Sequence, residues 1–317
     1  MLRSEERLSE SHLQDVVIGQ ECAEKRHQLQ VTYPLTNGVV TNWEDMARVW
    51  DHTFCERLCL DPPSCKVMLT EPPLNPKSNR RRMMETMFER YGFSGAFVQV
   101  QAVLALYAQG LLTGMVLDSG DGVSHVVPVV DGMVYPNLTR RLNIAGRHVT
   151  SHLVDLLLRR GYALNRTADF ETVRQIKEEL CYMAFDVKRE QKLARETTCL
   201  MKSYTLPDGR VIKLGPERFM APEALISPSS VDIEAPGIAE MVFNCIQEMD
   251  IDNRSTLYRH IVLSGGCTMF PGMSSRLEKE LKSLYMGRVA QASATQCPLL
   301  TDLLLFIPCS PHNAVSE

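Results

Sequence analysis

The sequence predicts an α/β protein, and three observations carry the prediction. Short β-branched runs alternate with apolar stripes at helical spacing, the order that builds a sheet with helices packed on it. Two of the strands run straight into glycine-rich turns, Asp118-Ser119-Gly120-Asp121-Gly122 and Ser264-Gly265-Gly266. The chain of 317 residues is 44% hydrophobic and 23% charged, enough for two domains or one bilobed unit with a full core.

Composition also excludes some functions. A net charge of −4, with no basic stripe among aromatics, gives no support to nucleic-acid binding. The first residues, Met1-Leu2-Arg3-Ser4-Glu5-Glu6-Arg7, lack the apolar core of a signal peptide. The longest apolar run, near Leu299–Ile307, contains Asp302 and is far too short to span a bilayer. A soluble chain is expected. The ten cysteines include no C-x-x-C, and most sit in apolar periodic segments, which reads as reduced, buried thiols. His52, Cys55, Cys59 and Cys65 are too irregularly spaced for a structural zinc site, and ordinary packing is favoured.

In chain order, residues 1–30 are polar and charge-rich and read as a peripheral piece. Asn42 caps a helix with Trp43, Ala47, Trp50 and Phe54 on one face and Glu44 and Asp45 at its positive end. Cys65–Thr70 is expected to be a buried strand, ended by the prolines of Glu71-Pro72-Pro73-Leu74-Asn75-Pro76. A helix over Asn79–Tyr91 turns Met83, Met87 and Tyr91 inward and leaves Arg80-Arg81-Arg82 in solvent. Ala96–Val100 is a second strand, leading into a helix from Gln101 to Gln109 that Gly110 closes.

Thr113–Pro128 then reads as a hairpin around the Asp118–Gly122 turn. Its glycines would allow positive φ and bring backbone N–H groups to a phosphate, while Asp118 could hold a hydrated cation. The same Asp-Gly turn also serves hairpins that bind nothing. Gln101 could orient a water beyond the strand ends; His125 could do the same or be a satisfied core histidine.

The helix His148–Arg160 carries Leu153, Leu156 and Leu157 inward, and Asp169 caps another with Val173, Ile176, Leu180 and Met183 as its apolar stripe. Arg174, Lys177 and Glu178 share a neighbouring face, either as a solvated, salt-bridged surface or as a clasp for ribose and adenine. Ser203–Val211 is a hairpin without phosphate character, and Ile238–Met249 is an apolar-striped helix. His260–Leu263 is a strand whose Gly265-Gly266 turn lets backbone approach a base or phosphate before a helix with Leu277, Leu281 and Leu284.

These stretches together resemble the actin family, densely from Val31 to Tyr285. The motifs are L-T-E-P-P-L-N-P (Leu69–Pro76), V-Q-A-V-L-A-L-Y-A-Q-G-L-L-T-G (Val100–Gly114), D-S-G-D-G-V-S-H (Asp118–His125), A-D-F-E-T-V-R-Q-I-K-E-E-L-C-Y (Ala168–Tyr182), S-Y-T-L-P-D-G-R (Ser203–Arg210) and L-S-G-G-C-T-M-F-P-G (Leu263–Gly272). The resemblance implies an actin-like bilobed fold of ribonuclease H-like duplicated domains, with ATP or ADP and Mg²⁺ between the lobes. Gly120, Asp121 and Gly122 would be the second phosphate loop, and Asp118 would face the metal through water. Gln101 and His125 would position the attacking water. Gly146, Arg174, Lys177 and Glu178 would line the adenosine, with Gly265, Gly266, Cys267, Thr268, Met269 and Phe270 opposite.

The implied organisation is a small-subdomain remnant (1–33), a partial first lobe (34–110), a second-lobe core (111–145 and 234–286), its insertion subdomain (146–233) and a non-family tail (287–317). The family's first phosphate hairpin has no counterpart here, so the first lobe is expected to be incomplete and nucleotide affinity reduced. An incomplete gene model or splice product would account for both ends. His148 replaces a family aspartate, and Cys267 and Phe270 replace a hydroxyl residue and Tyr of conventional actin. The implied function is that of a nucleotide-regulated, actin-related subunit of the complex that nucleates branched filaments, at most a slow regulatory ATPase. Its partners would be actin, actin-related protein 3 and the other subunits, and nucleation-promoting factors. Alternatives are a truncated product that binds partners without nucleotide and a kinase-type enzyme of the same superfamily.

Overall fold

The computed structural model describes residues 16–19, 22, 30–164, 169–289 and 305–308. Most of the peripheral segment 1–30 and of the tail 287–317 lies outside these residues, as does Ala168. The chain divides into two compact units, one within Met1–Leu35 and Val40–Asp61 and the other within Thr36–Val39 and Pro62–Glu317.

The first unit holds the helix α1 (Trp43–Asp51), which follows the short strands β1 (Leu35–Thr36) and β2 (Val39–Val40). Asn42 caps α1 as expected, its side chain accepting from the Glu44 and Asp45 N–H groups. Trp50 is buried and lies 6.4 Å from Trp43, ring centre to ring centre. His52 bonds Glu56 and Arg57, and Cys55 and Cys59 are exposed. Among the described residues no group of three or more His, Cys, Asp or Glu side chains gathers as a metal site would.

The second unit begins with a two-stranded parallel sheet. Strand β3 (Lys66–Glu71) leads to helix α2 (Lys77–Glu85), which continues as a wider helical turn over Thr86–Arg90. Strand β4 (Gly95–Val100) returns beside β3 in register, Met68 against Phe97. Strand β3 is not the buried strand expected: Lys66, Met68 and Thr70 are exposed, because among the described residues no element covers that face. Arg80 departs from the solvated reading: with Asn75 it bonds the buried Glu71 carboxylate, fastening the proline loop to α2. A buried carboxylate needs such a partner, which the Arg-Arg-Arg run alone does not reveal.

Helix α3 (Gln101–Ala108) follows β4 without a break and packs on the main sheet. That sheet combines β5 (Gly114–Ser119), β6 (Ser124–Val130), β7 (Met133–Val134), β8 (Arg140–Leu142), β11 (His260–Ser264) and β12 (Leu305–Pro308). Its order is β12-β11-β5-β6-β7, with β8 also paired to β6; β12, β11 and β5 run parallel and the hairpin strands antiparallel. Alternation divides the core. Met115, Leu117, Ile261 and Leu263 enter the larger cluster, while Val116, Val127, Val129 and Val262 meet Ala102, Val103, Ala105 and Leu106 of α3. Both faces are covered, so these strands read as unbroken apolar runs.

The rest, apart from the Val187–Glu196 helix with no buried residue, packs around the larger cluster. It comprises α4 (Gly146–Arg159), α5 (Asp169–Leu180), α6 (Val187–Glu196), the hairpin β9 (Lys202–Thr205) and β10 (Val211–Leu214), the single turn α7 (Glu217–Met220), α8 (Ile238–Glu248), α9 (Ile251–Arg259) and α10 (Met273–Val289). Each predicted helix and strand is present, with ends shifted by a few residues. The α/β class is confirmed, and both glycine-rich turns follow adjacent parallel strands, β5 and β11.

Candidate functional site

Asp118 and Ser264 lie opposite each other at the ends of β5 and β11, so the two turns leave the sheet side by side. Gly265, with φ 89°, fits because a Cβ there would lie 2.3 Å from the Ser119 carbonyl oxygen. Desolvation raises the Asp118 pKa, and a hydrogen bond with Ser264 partly offsets that. A carboxyl held this way gains from a nearby cation.

The Asp118–Gly122 turn differs from expectation in its backbone. Neither Gly120 nor Gly122 has positive φ. The Gly120 N–H closes the hairpin onto Val123 O at 3.1 Å, while the Gly120 and Asp121 carbonyls accept from Gly146 N–H (3.0 Å) and Arg147 N–H (2.8 Å). The turn is thereby fixed to the start of α4, whose first N–H groups need acceptors. Arg147 adds an ion pair to Asp121 at 3.1 Å. Beneath the turn Ser119 and Ser124 are fully buried, their hydroxyls 2.7 Å apart. Ser124 spends its one proton on Ile144 O at 2.6 Å, so Ser119 must donate to Ser124.

Lys177 does not share the exposed face with its neighbours. Arg174 bonds Glu171 and Glu178 (2.8 Å to the latter) at the surface, as a solvated cluster would. Lys177 turns inward from α5, is 6% exposed, and sends Nζ to the Gly146 carbonyl at 3.3 Å. Among the described residues no carboxylate lies within ion-pair distance of it. The buried Cys267 thiol reaches the Gly120 carbonyl at 3.2 Å. A Cβ on Gly146 would lie 3.1 Å from Cys267 Sγ and 3.4 Å from Lys177 Nζ, so a larger residue there would crowd the thiol.

His125 sits opposite Asp118 on β6, 2% exposed, with no hydrogen-bond partner for Nε2. Burial, assisted by the Arg141 charge, lowers its pKa to about 4, so the ring is neutral near neutral pH. It is a core histidine by burial and an unsatisfied one by bonding. The His148 Nδ1 accepts the Ala145 N–H at 3.2 Å, closing the start of α4.

The geometry thus gathers Asp118, Gly120, Asp121, His125, Gly146, Lys177, Gly265 and Cys267 around the two turns. Gln101 is exposed at the end of β4, its Nε2 3.4 Å from Thr70 Oγ1. Thr268 bonds back to Gly265 O, Met269 is exposed, and Phe270 enters the core cluster. Gly266 faces open space, and Gly122 abuts Asn37, 3.3 Å from where its Cβ would be. Asn37, with φ 52°, is a neighbour that sequence reasoning missed. The Asn37-Gly38 dipeptide is the strong hairpin signal that would have found it.

A mixed sheet with paired turns at its strand ends, above a buried lysine, defines a class, and the family comparison agrees. The chain belongs to the actin family, whose sequence pattern (Actin) matches residues 3–299. It is similar to Actin-related protein 2 of Oryza sativa subsp. japonica, 64% identical over 293 residues, covering 92% of this chain and 75% of the relative. Actin-related protein 2 of Arabidopsis thaliana is 63% identical with the same coverage. That of Acanthamoeba castellanii is 58% identical over 92% of this chain and 76% of the relative.

Proposed function

We propose that this chain is an actin-related, nucleotide-binding subunit of the complex that nucleates branched actin filaments. The observation that carries nucleotide binding is Lys177. A buried ammonium that among the described residues bonds one carbonyl and no carboxylate is costly unless an electron-rich ligand completes its shell. Gly120, Asp121 and Gly122 would face the phosphates, and Gly146, Arg174, Lys177 and Glu178 the adenosine. Gly265, Gly266, Cys267, Thr268, Met269 and Phe270 would supply the opposite wall, with Phe270 acting through packing. Asp118 would hold Mg²⁺ through water; the metal's contribution is to neutralise phosphate charge. Gln101 and His125 would orient a water, giving at most a slow, regulatory ATPase.

The assembly part of the proposal rests on similarity to Actin-related protein 2 across most of the chain. Actin, actin-related protein 3 with the other subunits, and nucleation-promoting factors would be its partners, at the cytoplasmic actin cytoskeleton. No helix among the described residues is long and apolar enough to cross a membrane. Residues 111–145 and 234–286 would form the core of one lobe, 146–233 its insertion and 34–110 part of the other lobe.

Calorimetric titration with ATP and Mg²⁺ tests the site. Saturable binding is expected, weakened roughly tenfold or more by Lys177→Met through loss of a charge-assisted contact. Absence of binding by the folded wild type would leave a chain that engages partners without nucleotide. Failure to co-purify with the other subunits would defeat the assembly claim.

A further inference from the structure

The Gly120 carbonyl accepts two hydrogen bonds, one from each side of the site. It takes the Gly146 N–H at 3.0 Å and the Cys267 thiol at 3.2 Å. The second bond comes from the opposite side of the site, because Cys267 directly follows Gly265-Gly266 at the end of β11. The first comes from α4, whose Gly146 carbonyl receives Lys177. Residues of four chain segments, Gly120, Gly146, Lys177 and Cys267, are thereby linked, and a Cβ on Gly146 would press on Cys267 Sγ at 3.1 Å.

We propose that Cys267 is a positioning residue: by donating to Gly120 O it sets the turn after β11 against the β5–β6 turn, so that nucleoside-facing and phosphate-facing backbone keep one register. The inference rests on the nucleotide reading of the site only for its effect on binding; the positioning itself is a property of the free protein. Burial raises the thiol pKa to about 11, so Sγ keeps its proton and remains a donor across the physiological range. A thiol is a weak donor, and the expected effects are correspondingly modest.

The test compares Cys267→Ala with Cys267→Ser in the full chain by hydrogen exchange without nucleotide, followed by titration with ADP and with adenosine. In Cys267→Ala, exchange at the Gly146 N–H should quicken roughly three- to tenfold, and Cys267→Ser, which restores a donor, should recover the protection. ADP affinity should fall by a similar factor in Cys267→Ala, and adenosine affinity by less. Should Cys267→Ala not fold, Cys267→Val keeps the volume, lacks the donor and should show the same faster exchange. Wild-type exchange in the donor-free variant, or equal losses in the Ala and Ser variants, would overturn the proposal. Altered exchange in a protein that binds no ADP would uphold the positioning and reject the nucleotide reading.

Discussion

The second unit contains two sheets built from similar residues and treated very differently by the fold. In the main sheet Met115, Val116, Leu117, Val126 and Val127 are fully buried, with helices on both faces. In the β3–β4 pair Met68 and Phe97 sit side by side, 53% and 57% exposed, and the opposite face is only half-buried. Parallel strands are ordinarily covered on both faces, because each face carries apolar side chains. The sequence of a strand therefore reports that it is a strand; whether it is buried depends on what the rest of the molecule brings to it. The candidate site grows from the sheet that is covered. Its turns inherit rigidity from strands that cannot shift register without exposing a core face.

A charge placed in each sheet should break the symmetry between them most sharply. Val127→Asp buries an unpaired carboxylate in the α3-facing cluster, and a loss of several kcal/mol, enough to unfold a marginal domain, is expected. Met68→Asp faces water and should change stability by no more than about 0.5 kcal/mol. Urea denaturation of both variants measures the difference; equal losses would mean that β3 and β4 are as deeply packed as β5 and β6.

A smaller effect separates the sheets by pH. His125 lies in the covered sheet with its pKa lowered to about 4 by burial and by Arg141. The unfolded chain takes up the proton first, so the stabilisation is complete above about pH 6.5 and is lost as pH falls to about 4. The loss is on the order of 3 kcal/mol. Asp118, whose pKa is raised, acts in the opposite sense as pH climbs from its ordinary carboxylate value. Comparison with His125→Asn isolates the histidine: the variant should lack this part of the acid sensitivity in denaturation curves at pH 4 and 7. Parallel curves for the two proteins would place the ring in a hydrated site.

Much of this was legible in the residues. Apolar spacing located the helices, Asn42 announced its cap, and the glycine turns at Asp118–Gly122 and Gly265–Gly266 pointed to one end of the sheet. What failed to show had a common cause, namely dependence on contacts distant in sequence. Lys177 and Arg174 share a helical face by spacing, yet only the fold turns the lysine under Gly146 and leaves the arginine to Glu171 and Glu178. Arg80 looks like one of three solvated cations until Glu71 is found buried beside it. Gly120 and Gly122 suggest positive φ, whereas the geometry uses the Gly120 carbonyl, docked on α4, and a close approach to Asn37 at Gly122.

The finest contrast concerns the exposed pair itself. Phe97→Ser with Met68→Ser removes apolar surface that already faces water, so little burial is forfeited and stability should move by about 0.5 kcal/mol or less. Solution behaviour should move more. Two parallel strands with adjoining apolar side chains invite pairing with another chain, and the double variant should scatter less light at high concentration. Leu117→Ala serves as the opposite control: it should cost about 2–5 kcal/mol and increase scattering as the covered sheet opens. If the serine variant instead destabilises the protein as strongly as Leu117→Ala, Met68 and Phe97 are covered in solution, and the two sheets are equals.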